Sequence, residues 1–296
     1  MSALLSELMA VPRLLSIAGS DSGGGAGIQA DLKAFACAGA HGMTAITAIT
    51  AQNTVGVSAV HQVPPDMIVA QVAAVAEDIG VDAVKIGMLG TSETIAAVAE
   101  ALDTLPGGTP VVLDPVMVAE SGAVLLDEDA RDALREMLVP RATVVTPNIP
   151  EARVLTESPG GDTSPRELAV AVHAYGPRAV VVTGGHSEEG TDFLYDGIAL
   201  TEIPGERHPG GAAHGSGCTH SSTLAACLAR DGDLHAAARE ARRVASEAVR
   251  LGLRGIGAGP GPVDVFGLEL DQRAAVEPWV DRESPIEEAP EREIPF

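Results

Sequence analysis

Arg13-Leu14-Leu15-Ser16-Ile17-Ala18 runs into Gly19-Ser20-Asp21-Ser22-Gly23-Gly24-Gly25-Ala26-Gly27, and Ile28 to Ala38 follows with helical spacing. An apolar run, a glycine loop and an amphipathic stretch read as strand, loop and helix. Two familiar phosphate-binding readings of such a loop fail. A P-loop places Lys-Ser/Thr directly after its last glycine, whereas Ile28-Gln29 stand here. A dinucleotide fingerprint needs G-x-G-x-x-G and an acidic residue about twenty positions on. The glycine spacing differs, and Met43 to Ile49 carries no acid. Two readings stay open: a close approach of backbone to a small polar ligand, or a structural turn with more glycine than a turn requires.

The same alternation continues outward. Thr44 to Thr50 is β-branched and alternating, a strand ending in the polar Ala51-Gln52-Asn53-Thr54. Pro64-Pro65-Asp66 opens a helix through Ala76, with Asp66 as a first-turn acid. Strands follow at Asp82 to Ile86, Val111 to Leu113, Thr143 to Val145 and Ala179 to Val182, with helices at Thr91 to Leu102, Asp129 to Leu138 and Ser164 to Tyr175. Phe193 to Tyr195 and Ile198 to Ile203 flank Asp196-Gly197, a hairpin signal. Strands alternating with helices predict a mainly parallel, doubly wound sheet with its site at the strands' carboxyl ends. A βα barrel is the alternative, but the hairpin fits it less well.

A second glycine stretch, His214-Gly215-Ser216-Gly217-Cys218-Thr219, precedes an alanine-rich helix from Thr219 to Ala229. A helix N-terminus with free N–H groups is an anion site, and Cys218 there would have its thiolate favoured. The other reading is a tight turn entering a buried helix, with Cys218 as a small core side chain.

Bulk properties narrow the classes. The chain has 296 residues and a formal charge of −22, which excludes a basic nucleic-acid-binding face. An anionic nucleotide could still bind through helix termini and Mg²⁺. Hydrophobic residues make up 46% and aromatics 2%, so the core is built of Ala, Val, Ile and Leu. Lys33 and Lys85 are the only lysines. Cys37, Cys218 and Cys227 lack zinc-type spacing and read as reduced thiols of a cytoplasmic protein. No apolar run spans a bilayer, and Met1 to Pro12 carries Glu7 and no basic n-region, so it does not read as a signal peptide. From Asp271 onward the chain is acidic and Pro-containing and reads as a disordered tail.

Several stretches, in order, resemble the hydroxymethylpyrimidine/phosphomethylpyrimidine kinases of thiamin biosynthesis. They are Ala18 to Lys33, Thr50-Ala51-Gln52-Asn53-Thr54, Lys85-Ile86-Gly87-Met88-Leu89, Asp114-Pro115-Val116-Met117, Thr146-Pro147-Asn148-Ile149-Pro150-Glu151-Ala152 and His214 to Thr219. The resemblance covers Leu14 to about Phe266. It implies a ribokinase-like three-layer α/β/α sandwich over residues 1–270, a separate tail at 271–296, and a homodimer. The implied activity is ATP- and Mg²⁺-dependent phosphorylation of 4-amino-5-hydroxymethyl-2-methylpyrimidine, and then of its monophosphate.

The resemblance also assigns residues. Cys218 would be the catalytic base, its pKa lowered by the helix it heads and its thiol alkylated before Cys37 or Cys227. Gly215, Ser216 and Gly217 would form the anion hole. Gln52 would answer the pyrimidine's ring nitrogen and amine together. Asp31 would accept from that amine or order the glycine loop, while Gly19, Met88 and Val116 would wall the ring. Asn148, Thr183 and Gly185 would hold the nucleotide, with Glu151 and Asp114 toward the metal. One departure stands out: the family often reads Lys-Gly-Gly-His where this chain has Thr183-Gly184-Gly185-His186. Mg²⁺ or Arg207 is the expected replacement for that charge. A pyridoxal kinase of the same subfamily and a non-catalytic pyrimidine-binding regulator are the competing functions.

Overall fold

A computed structural model describes residues 11–158, 163–185 and 190–268. The expected tail at 271–296 and His186 lie outside the described residues. In chain order the elements are β1 (Arg13–Ala18), α1 (Gly27–Cys37), β2 (His41–Ile46), β3 (Ala48–Asn53), β4 (Gly56–Gln62), α2 (Pro65–Asp78), β5 (Ala83–Ile86), α3 (Ser92–Leu102) and β6 (Val111–Leu113). They continue with α4 (Ala130–Ala133), β7 (Val144–Val145), α5 (Ile149–Leu155), α6 (Pro165–His173), β8 (Ala179–Val182), β9 (Asp192–Tyr195), β10 (Leu200–Ile203), α7 (Ser216–Asp231) and α8 (Leu234–Arg250).

One eight-stranded sheet runs β10-β9-β8-β7-β6-β5-β1-β2. Strands β2 through β8 in that row are parallel, and β9 and β10 are antiparallel at the edge. The sheet is open, so the barrel alternative fails. Successive strand residues point to opposite faces, and each face has its own core. Leu15, Ile17, Ile86 and Leu113 pack with Ile68 of α2, Ile95 of α3 and Leu168 of α6. Leu14, Val112, Val144 and Val181 face the other way, onto Phe35 of α1, Leu224 of α7 and Ala241 of α8. Two buried cores on one sheet make a three-layer α/β/α sandwich, as the resemblance implied.

Four local expectations need correction. The Thr44 to Thr50 strand is two strands broken at Thr47. The Thr47 N–H donates to the Ala18 carbonyl and its hydroxyl to the Met88 carbonyl, turning the chain off the sheet edge. Beyond it, β3 pairs with β4 in a separate two-stranded ribbon, so Gln52 stands on that ribbon and not at a main-sheet strand end. The Asp129 to Leu138 helix is one α turn, Ala130–Ala133, that widens to a π turn over Leu134–Leu138. Helix α7 begins at Ser216, three residues before the expected Thr219, because Gly215 in the left-handed conformation already turns the chain into it.

Candidate active site

The loop after β1 is shaped by Asp21. Its Oδ1 accepts from the Gly23 N–H at 2.8 Å. Its Oδ2 accepts from Gly25 at 3.1 Å and Ala26 at 2.8 Å, and stands 2.8 Å from Nε2 of His214. Burial alone would raise this carboxyl, but His214 and the loop N–H groups outweigh it and hold it below the ordinary aspartate value. The glycine loop is thereby tied to the second glycine stretch. Gly215 has φ 86°, and a Cβ there would fall 1.8 Å from the Gly25 carbonyl oxygen. The two loops touch backbone to backbone, which only glycine allows.

The β3–β4 ribbon is laced to the same loop by two serines. The Ser22 hydroxyl donates to the Gln52 carbonyl at 2.7 Å and accepts from its N–H at 2.8 Å. The Thr50 hydroxyl donates to the Ser20 carbonyl at 2.8 Å. A β-bulge between Ala51 and Gln52 re-aims the glutamine side chain.

Asn148 and Glu151 enclose the start of α5. The Asn148 side chain accepts from the Glu151 N–H at 2.8 Å, and Glu151 accepts from the Asn148 N–H at 2.9 Å, a reciprocal cap. Asn148 also pairs with Thr183 in an isolated parallel bridge, which sets the ends of β7 and β8 side by side. Burial, then the neighbouring Asp114, pushes the Glu151 carboxyl up to about 8. Burial also raises Asp114, against the pull of Lys85 and the Ser221 hydroxyl, which donates to it at 3.0 Å.

These pieces converge on one cavity of about 410 Å³ at the carboxyl end of the parallel strands. Gly19, Gln52, Met88, Asp114, Val116, Asn148, Glu151, Thr183, Gly185 and Gly215 to Cys218 all line it. Asp31 does not. It lies fully buried behind the cavity, where its Oδ1 takes Nζ of Lys85 and the Ser222 hydroxyl, both at 2.8 Å, and its Oδ2 takes the Ser16 hydroxyl at 2.6 Å. An acid buried behind the cavity, with both oxygens turned to core partners, does not face a pyrimidine amine there.

Cys218 differs from expectation as well. Burial, abetted by Asp31 and Asp114, pushes its thiol up to about 12, over the opposing pull of Lys85 and the Gly27 N–H. The helix terminus favours a thiolate, but two nearby carboxylates and loss of water weigh more.

Several residues of the site were given no role by the sequence. Lys85, fully buried, lines the cavity with Nζ 3.8 Å from Asp114 Oδ2 as well as paired to Asp31. Its ammonium is held above the ordinary lysine value, because Asp31, Cys218 and Asp114 together more than offset burial. His220 and Arg242 line the cavity beside Thr183 and Gly185. A lysine inside the apolar strand Ala-Val-Lys-Ile, and an arginine on the alanine stripe of α8, were the available signals.

An open three-layer α/β/α sandwich with a glycine-led helix start, an Asn-x-x-Glu cap and a glycine loop on one cavity defines a ribokinase-like phosphotransferase. The phosphomethylpyrimidine kinase family model matches residues 21–264, and the chain belongs to that family. A hydroxymethylpyrimidine/phosphomethylpyrimidine kinase of Mycobacterium bovis is 45% identical over 259 residues, covering 86% of this chain and 94% of that protein. An ADP complex of Bacillus subtilis pyridoxal kinase superposes with a TM-score of 0.79 at 37% identity, covering 88% of this chain and all of the other. The phosphomethylpyrimidine kinase of Clostridium difficile gives a TM-score of 0.70 at 38% identity, with 81% of this chain covered and all of the other.

Proposed function

We propose that the chain transfers the γ-phosphoryl group of ATP to the hydroxymethyl group of 4-amino-5-hydroxymethyl-2-methylpyrimidine, and then a second phosphoryl group to that monophosphate. The observation that carries this reading is the convergence of Gln52, the glycine loop, the Gly215–Cys218 helix start and the Asn148/Glu151 cap on one cavity. Gln52 faces the ring nitrogen and exocyclic amine, with Gly19, Met88 and Val116 against the ring. The first-turn N–H groups of α7 meet the transferred phosphoryl group, where fixed donors act most strongly. Asn148, Thr183 and Gly185 take the nucleotide's phosphates.

Asp114 and Glu151 fit a divalent cation: they are two buried carboxyls on the cavity, both raised first by burial and Glu151 next by Asp114, and few protein oxygens with the rest water suit Mg²⁺. Bound Mg²⁺ would offset the charge of the phosphates. As a thiolate, Cys218 takes the substrate hydroxyl's proton while that oxygen bonds to phosphorus and the bond to the ADP oxygen breaks. Burial favours the thiol, so the reactive form is the minor one, and the ammonium of Lys85 is what the chain itself offers to support it. A loose transition state asks little of a base until late, so positioning and the anion hole carry most of the rate. Cys218→Ala is therefore expected to cost roughly 10²–10⁴ in kcat, and to lose the alkaline rise of the pH–rate profile.

A coupled assay of ADP release, with the pyrimidine alcohol and pyridoxal at matched concentrations, tests the assignment. A higher kcat/KM for pyridoxal would replace it with the pyridoxal kinase reading, which the pyridoxal kinase neighbours keep in play. No release with either would leave a binding regulator. We further propose a homodimer through the β3–β4 ribbon, on which Ile49 is 54% and Val60 44% exposed, and a cytoplasmic location. No helix among the described residues is long and apolar enough to cross a membrane.

A further inference from the structure

Thr183 brings no charge to the nucleotide end of the cavity, yet a buried cation stands beside it. Arg242 reaches across from α8 and is largely buried. A Cβ on Gly185 would lie 3.9 Å from its Nη1, and one on Gly205 only 1.9 Å from its Nε. The guanidinium is thus pressed between the Gly205 backbone and the Thr183–Gly185 loop. Its Nη2 donates to the Gly190 carbonyl. Its Nε is buried without a hydrogen-bond partner.

Behind it lies Asp192, fully buried at the start of β9. Asp192 Oδ1 accepts from the Gly184 N–H at 2.8 Å and stands 3.8 Å from Arg242 Nη1, a loose pairing. Its Oδ2 is 3.2 Å from Nε2 of buried His220, but the atoms are not aligned for a hydrogen bond, and neither ring nitrogen of His220 has one. Arg242 and His220 line the cavity and Asp192 does not. The cluster therefore turns its positive, donor-bearing edge to the cavity and its carboxylate away. Buried donors without partners cost stability, and Arg242 and His220, which carry them, both border the cavity. A planar fork of N–H donors matches the oxygens of a phosphate or a carboxylate, and the phosphate is what a nucleotide brings to this loop. Arg207 lines the same cavity but is exposed, so water screens its charge.

We propose that Arg242, backed by Asp192 and flanked by His220, binds the phosphate chain of the nucleotide at the Thr183–Gly185 loop and supplies the charge that Thr183 lacks. Asp192 and His220 are positioning residues: they hold the guanidinium plane against the loop. This rests on the reading of the cavity as a nucleotide kinase site.

The test compares ADP with adenosine, titrated calorimetrically into the full chain. Arg242→Gln is expected to weaken ADP by about 10- to 100-fold, the range for one charged hydrogen-bonding partner, and to leave adenosine within about twofold. Adding Thr183→Lys to that variant is expected to recover ADP affinity, since a charge returns to the same loop from the other side. Arg242→Gln strands Asp192 without its cation. If it does not fold, the paired change Asp192→Asn with Arg242→Gln carries the same comparison. Equal losses for ADP and adenosine would show that Arg242 only packs the wall, and an unchanged ADP affinity would remove it from the site; either overturns the proposal. Failure of the unsubstituted protein to bind ADP at all would instead overturn the nucleotide reading on which it rests.

Discussion

Lys85 and Arg242 are both buried cations on the cavity wall, each facing a fully buried aspartate, and they are built in opposite ways. Around Asp31 every contact is made: Lys85 at 2.8 Å, Ser222 at 2.8 Å and Ser16 at 2.6 Å. Around Asp192 the pairing is loose, at 3.8 Å to Arg242, and atoms of Asp192, His220 and Arg242 lack hydrogen bonds. A closed polar network fixes a shape, and an open one leaves donors for something that arrives. The first cluster joins β1, β5, α1 and α7 beneath the proposed pyrimidine end. The second joins β9, α7 and α8 at the proposed nucleotide end. Helix α7 belongs to both, so one rigid element carries the scaffold and the unfilled donors together.

The strongest way to break this contrast is Lys85→Met. It strands Asp31 in the core and should cost about 3–5 kcal/mol in denaturant unfolding, as removing one member of a buried pair does. Combining it with Asp31→Asn should recover most of that loss. A Lys85→Met protein as stable as the parent would mean that Asp31 is not charged in the fold, and the contrast would collapse.

Gln52 belongs with the open cluster, since its Oε1 has only the Thr50 hydroxyl at 3.3 Å. Gln52→Ala should weaken the pyrimidine by about 1–3 kcal/mol and spare ATP, because buried ring polar groups lose their partner. Equal losses for both substrates would remove Gln52 from the ring.

Glu151 sharpens the comparison through pH. Its carboxyl is raised from 4.5 to about 8, so between those values the folded protein keeps a proton that the unfolded chain has released. Stability should therefore fall as pH rises through that window. Glu151→Gln should flatten the fall in Tm, and Mg²⁺ added at pH 8 should raise Tm in the parent more than in the variant. Identical slopes in the two proteins would show that Glu151 ionises normally.

The smallest effect is an order of reaction. At neutral pH iodoacetamide should modify exposed Cys37 before Cys218, whose thiol is held up to about 12. Peptide mapping that finds Cys218 first would show that Lys85 prevails over burial and the two carboxylates beside it.

Much of this architecture is legible in the amino-acid order. The strand–loop–helix at Arg13 to Ala38, the later alternation and the Asp196-Gly197 hairpin lead to the open sheet, because burial on both faces gives near-continuous apolar strands. The cavity walls were legible wherever polar residues follow strands. What escaped did so for physical reasons. The break at Thr47 depends on hydroxyl and amide partners, Met88 and Ala18, distant in sequence. Asp31 looks like a surface acid until Lys85 is folded against it. Helix α8 buries alanines, Ala237, Ala238, Ala241, Ala245 and Ala248, against an outer face rich in Arg and Glu, so one more arginine in its sequence reads as surface charge. Arg242 hides on the inner face. The lowered Cys218 thiol expected from a helix terminus was a local argument. The opposing carboxylates come from Asp31 and Asp114, more than a hundred residues away.

The contact between the two glycine loops has a consequence for how the enzyme comes into being. Asp21 and His214 are separated by 193 residues, and His214 is steadied in turn by a bridge to Pro262. As the chain leaves the ribosome, its N-terminal strands can pair and its first core can close. The glycine loop must wait with its aspartate half-satisfied until the final third of the polypeptide arrives. Any product cut short of that point would carry most of the sheet and none of the chemistry, so translation itself decides when the catalyst is switched on.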